Sequence, residues 1–149
     1  MRLKKIIRFN IFLLALSVFS CHSLAAMNFN GKWLDNGSGN TRIGNLVVTD
    51  NKLTIKHVVS YSIRKDRMAG SSQIYKVIKV NKKTDPLGCG PTSKVTYIII
   101  STLPNIPGTN QIAIGVDFYG GLKSPNLKKL DDDPAVCASY SFGRDPNSH

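Results

Sequence analysis

Three histidines, three cysteines, nine aspartates and no glutamate hold most of the reactive chemistry open to this 149-residue chain. A proton-transfer reading centres on His57. Alternation along Leu53–Val59 places it on one strand face with Leu53, Ile55 and Val59, pointing inward. Spacing assigns it no serine or aspartate partner, and a lone histidine does not make a triad. Asp50 and Asp117 are the carboxylates an unusual hydrolase would set against it. With no glutamate and scattered aspartates, the paired carboxylates of a glycosidase have no place. Asp131-Asp132-Asp133-Pro134 lacks the alternating oxygen ligands and the glycine of a calcium loop and reads as a solvated turn. Nothing positions a nucleophile, so no catalytic residue, metal site or cofactor is assigned and the reading is non-enzymatic.

Cations are the more productive chemistry. Arg64, Lys65, Arg67, Lys79, Lys82 and Lys83 lie near both ends of the run Gln73–Val80, with Tyr61 and Tyr75 nearby. Basic side chains interleaved with aromatics suit phosphates or sugars. Arg64, Lys65, Arg67 and Tyr75 are therefore candidate binding residues, together with His57 and Trp33. The formal net charge of the chain is +11. Residues 1–26 carry four basic residues and no acid; the remainder holds 16 Lys and Arg against 9 Asp, a net charge of +7. A surplus of that sign predicts an anionic ligand or an acidic protein partner.

The front end tells where that partner is met. Arg2, Lys4, Lys5 and Arg8 precede an apolar run from Phe9 to Phe19, then small residues to Ala25 and Ala26. A positive start, a short apolar stretch and a small-residue exit form a secretory signal. The apolar stretch falls short of the about 20 residues a membrane span needs. Cleavage after Ala25 or Ala26 leaves a mature chain from residue 26 or 27, and the domain is taken from residue 27. Val18-Phe19-Ser20-Cys21 offers a second exit, a lipobox-like site at which Cys21 would carry lipid, although Phe19 departs from that pattern. A periplasmic or secreted location follows, with outer-membrane attachment only through a lipidated Cys21. Nucleic acid is disfavoured as a partner in that compartment.

Either exit removes Cys21 and leaves Cys89 and Cys137 as an even pair in an oxidising compartment. Their bond closes a loop of about 49 residues and stabilises by about 4 kcal/mol in the chain-entropy model. The close Cys-x-x-Cys spacing of a thiolate metal site is missing.

The elements that must position these residues are strands. Period-two patterning dominates, and no run of ten residues carries a helical stripe. Ile43–Thr49 and Leu53–Val59 flank a tight turn at Asp50-Asn51-Lys52. Gln73–Val80 follows a polar stretch at Arg64-Lys65-Asp66-Arg67. Residues 81–93 are a loop rich in breakers. Lys94–Ser101, Gln111–Tyr119 and Val136–Phe142 complete the set, with a helical turn expected at Asn126–Leu130. In the last strand, parity puts Val136, Ala138, Tyr140 and Phe142 on the core face and Cys137 on the other, so the disulfide is expected to pin its loop across the outside of the sheet. Seven or eight short strands joined by Gly/Pro turns predict one all-β domain over 27–149, a small antiparallel barrel or a sandwich; a closed barrel leaves no exposed edge.

Phe29-Asn30-Gly31-Lys32-Trp33, continued by Asn36-Gly37-Ser38 and Ile43-Gly44, resembles the first hairpin of calycins, the superfamily of lipocalins and avidins. The likeness covers residues 29–59. It implies an up-and-down barrel with a ligand cup and Trp33 closing its base. Avidins hold biotin with several tryptophans and Trp33 stands alone here, so the resemblance implies the barrel and not that ligand. Read without it, Trp33 is a core residue packing with Phe29.

The sequence thus reads as an exported, non-enzymatic β-barrel binding protein of the bacterial envelope with an unidentified ligand. The alternative is an inhibitor or immunity-type protein that blocks an acidic enzyme through the disulfide-pinned loop 84–93, inserting at Leu87 and Gly88.

Overall fold

A computed structural model describes residues 28–37, 42–105, 108 and 110–144. Residues 1–26, expected to form a secretory signal, with Cys21 among them, and Ser38 of the Asn36-Gly37-Ser38 turn and His149 lie outside the described residues. Eight strands run in chain order: β1 Gly31–Asp35, β2 Leu46–Val48, β3 Lys52–Ile55, β4 Val59–Ala69, β5 Ser72–Val80, β6 Tyr97–Leu103, β7 Ile112–Tyr119 and β8 Val136–Arg144. Each pairs antiparallel with its neighbour, and β1 pairs with β8 through Leu34↔Gly143 and Asp35↔Phe142, closing a barrel and not a sandwich. Closure leaves no free edge, and eight strands enclose a space that side chains can fill.

They do fill it. Trp33, Tyr61, Tyr75, Phe118 and Phe142 are fully buried with Leu46, Leu53, Ile55, Ile98, Ile100 and Ile114. Strict alternation produces this in β7, where Ile114, Val116 and Phe118 face inward opposite Phe142, Tyr140 and Ala138 of β8. A second, smaller cluster of Ile74, Tyr97, Ile99 and Tyr119 faces outward from β5–β7. Residues 120–135 cover it, with Leu127 and Leu130 of a 3-10 helix at Leu127–Asp132 packed against it. That helix starts at the expected turn, with the Asn126 side chain accepting from Lys128 N–H, and runs two residues further.

Three register shifts interrupt the ladders; one leaves Asp66 between the pairs Lys65↔Tyr75 and Arg67↔Ile74, and the other two correct the sequence-based phase. In β4–β5, Ser62 pairs with Lys79 but Ile63 pairs with Val77, leaving Ile78 unpaired. The extra residue resets the alternation: Val77 and Val80 both reach the inner core, while Ile78 and Lys79 stand exposed side by side. In β7–β8, Phe118 pairs with Ala138 and Tyr119 with Val136, so Cys137 is the extra residue. Val136 consequently joins the outer cluster, and Cys137 packs against the inner core, the reverse of the assignment by parity.

The Cys89–Cys137 disulfide is present, with the Cα atoms 5.3 Å apart. The loop it holds does not cross the outside of the sheet. It folds over one end of the barrel, where Leu87 packs on the core and Asp85 is buried. Asp85 accepts the Tyr61 hydroxyl at 2.6 Å and the backbone N–H groups of Leu87 at 3.1 Å and Val95 at 2.9 Å. Gly120 makes room for the crossing, since a Cβ there would stand 2.4 Å from the Cys89 carbonyl oxygen. At the other end Trp33 donates its indole N–H to the Phe29 carbonyl at 2.9 Å. Arg144 lies 4.2 Å above the indole ring and donates to the Asn30 carbonyl. Gly31 has φ +130°, and a Cβ there would meet the Arg144 guanidinium at 3.0 Å. The Gly-x-Trp spacing therefore has a local physical reason: the glycine admits the arginine that covers the tryptophan.

Candidate anion-binding groove

The barrel separates the six candidate binding residues. Trp33 and Tyr75 are 1 % exposed and belong to the packed interior. Burial, with a smaller push from the Asp50 carboxylate, raises the Tyr75 hydroxyl to about 12. The other tyrosine of the expected patch, Tyr61, is held by Asp85, and burial raises it further. Neither ring interleaves with surface cations, because both occupy inward positions of their strands.

His57 does not point inward. The run Leu53–Val59 is two strands with a turn between them, closed by Val58 N–H to Ile55 C=O at 3.0 Å. His57 is exposed at the third position of that turn with φ +66°, where glycine is the usual occupant. Lys56-His57-Val58 carries none of the ordinary turn residues, so composition gave no signal for the break. Asp50 lies at the opposite end of β3, where it accepts from the Asn30 amide at 2.8 Å and faces Lys65 at 3.9 Å. Asp117 is on β7 across from Ser139; burial raises its carboxyl, against a lowering hydrogen bond from that serine. Neither forms a unit with His57.

The polar stretch at 64–67 lies in the middle of the eleven-residue β4. Its three cations go three ways. Lys65 turns to Asp50. Arg67 holds the covering segment 120–135 in place, reaching Asp66 at 3.1 Å, the Ser124 hydroxyl, and the Pro125 carbonyl at 2.7 Å. Arg64 stands on the outer face, as Arg67 does, but away from the covering segment and directly opposite Lys76 of β5.

That register pair borders the main functional candidate. A groove of about 610 Å³ runs along the outer face of β5, bounded by residues 92–97 and by Leu122. Lys76, Lys79, Lys82, Lys83 and Lys94 line it, and no acid does. A second hollow of about 370 Å³ shares Lys79 and Lys82 with it and adds Lys52. All five groove lysines are exposed, and among the described residues none forms an ion pair. Cations directly opposite one another, as Arg64 and Lys76 are, oppose folding. Their concentration without counter-charges therefore fits attraction to an anion better than it fits stability. Lys79, Lys82 and Lys83 are legible from sequence. Lys76 could have been found from its alternate position in Gln73–Val80, whereas Lys94 and Leu122 join only through long-range pairing.

Two other clusters are structural. Asp85 uses both carboxylate oxygens on Tyr61, Leu87 and Val95. Asp133 accepts the Tyr119 hydroxyl at 3.1 Å and Ala135 N–H at 3.0 Å. Among the described residues no three His, Cys, Asp or Glu side chains converge as metal ligands, and no helix is long and apolar enough to cross a membrane. Comparison with protein-family models, with curated proteins and with solved structures returned no match.

Proposed function

We propose that this protein is an exported, non-enzymatic β-barrel that binds an anionic partner in the lysine groove along β5. The observation carrying this reading is the set of five exposed lysines, free of carboxylate partners among the described residues, around one concave surface. Binding on the outside of the barrel replaces the ligand cup implied by the calycin resemblance, because large side chains occupy the interior. The Gly31-Lys32-Trp33 spacing on the first strand of an eight-stranded meander supports kinship with that superfamily. Export is supported by the basic-apolar-small pattern of residues 1–26 and by the disulfide, which persists in oxidising compartments.

The test is calorimetric titration of the mature protein with inorganic polyphosphate. Binding should weaken as salt rises and should be lost in a K76E/K94E variant that keeps its β-sheet circular dichroism. Equal affinity in that variant, or no binding at low salt, overturns the proposal.

A second reading has one observation in its favour. Residues 90–94 are exposed beside Cys89, and Thr92 and Lys94 line the groove. An acidic protein could dock there, as the inhibitor alternative requires. Its contact would be residues 91–94 and not Leu87, which packs on the core.

A further inference from the structure

On the reading just proposed, we infer that the anionic partner is a lipid surface. The groove is not only basic. Leu122, 71 % exposed, and Ile78, 57 % exposed, project into the same concavity as the five lysines. The two are the most exposed large apolar side chains of the described residues, with Leu34, and they are brought together from segments 44 residues apart. Each is placed outward by a specific feature. Ile78 is the unpaired residue of the β4–β5 bulge. Leu122 follows Gly120 and Gly121, in the segment that Arg67 holds against the barrel through Ser124 and Pro125.

Exposed aliphatic side chains ringed by cations match the two layers of an anionic membrane surface. Phosphates meet the ammonium groups, and the aliphatic tips enter the boundary between headgroups and acyl chains. A soluble polyanion or a glycan explains the lysines but gives Ile78 and Leu122 nothing to do. A sugar-binding groove would present a flat aromatic face, and the aromatic lining here, Tyr97, is only 9 % exposed. Lysine stems suit this arrangement, because they lie along apolar surface while the charged head reaches outward.

The test is co-sedimentation of the mature protein with vesicles of phosphatidylcholine alone or mixed with phosphatidylglycerol, beside polyphosphate titration of the same samples. The protein should pellet with the anionic vesicles only. Each groove lysine changed to glutamine should lower partitioning about fivefold. I78S/L122S should lower it about tenfold or more, reflecting lost aliphatic insertion. L34S, which removes an equally exposed leucine on β1, should leave it unchanged. Polyphosphate binding without vesicle binding, or vesicle binding untouched by I78S/L122S, overturns the lipid inference while the anion-binding groove stands. An equal loss in L34S also overturns it, because insertion would then have no preferred face. Failure to bind either probe removes both.

Discussion

Changing Lys76 to glutamate separates the demands of folding from those of binding. Lys76 stands directly opposite Arg64 on the outer face, so their Cβ atoms are about 5 Å apart and their charges repel. Glutamate turns that repulsion into a cross-strand attraction. Such pairs contribute roughly 0.2–1 kcal/mol, and exposure of both side chains keeps the gain toward the middle of that range. For a domain of this size the melting temperature should rise by about 2–4 °C. The same change puts a negative charge among Lys79, Lys82, Lys83 and Lys94, so polyphosphate affinity should fall about tenfold or more. Lys76→Gln, which keeps a stem against Tyr97, should show about half of each effect. Thermal unfolding at low and high salt, paired with calorimetric titration, reads both quantities. The stability gain should vanish in molar salt, where charges are screened within about 3 Å. A lower melting temperature with binding intact would show that these cations serve the fold and not a ligand.

Reducing or replacing the Cys89–Cys137 bond should cost about 4 kcal/mol, since it closes a loop of 48 residues' separation; chemical denaturation with and without reductant measures it, and a loss below 1 kcal/mol would mean the 81–96 segment holds its place unaided. Tyr61→Phe leaves Asp85 short of its 2.6 Å hydroxyl donor inside the barrel end and should cost about 1–3 kcal/mol by urea titration, with no change in polyphosphate affinity. The Asp35 carboxyl sits below the usual aspartate range: burial pushes it up, but the N–H groups of Gly44, Gly37 and Ile43, with Arg42, outweigh that. A depressed folded value means stability present above the ordinary aspartate pKa and lost as pH falls below it, so Asp35→Asn should flatten the acid limb of a stability–pH curve and an unchanged limb would refute this. His57→Gly relieves a left-handed backbone and should stabilise by about 0.5 kcal/mol with binding retained, whereas loss of polyphosphate binding would return His57 to the site.

How much of this was legible in the sequence depended on whether alternation was unbroken. The Ile112–Tyr119 strand reads directly, because every second residue is apolar and the strand has no bulge before its last pair. The expected Lys94–Ser101 strand starts three residues before β6, because Val95 and Thr96 look like strand but are tied into the loop by Asp85 and by the Tyr119 and Gly121 carbonyls. The long β4 is hidden, because its second half faces solvent and reads only as a polar stretch. Parity misassigns Cys137 and does not single out Ile78 for a shared reason: a bulge inverts the parity on which facing is judged, and neither bulge carries a glycine to announce it. Charge was visible as composition, yet its concentration on one face was not. Lys94 and Leu122 reach Lys76 only when β5, β6 and the segment after β7 lie side by side. The tyrosines nearby in sequence pointed to a mixed aromatic and basic patch, and the pleat sends them to the opposite face.

Amide chemical-shift mapping of isotope-labelled residues 27–149 during polyphosphate titration tests the central claim most directly. The largest shifts should fall at Lys76, Ile78, Lys79, Lys82, Lys83 and Lys94, with Trp33 and Tyr75 unmoved. Shifts centred on the interior-facing residues of β1 and β5, or spread evenly over all exposed lysines, would contradict a dedicated groove on the outside of the barrel.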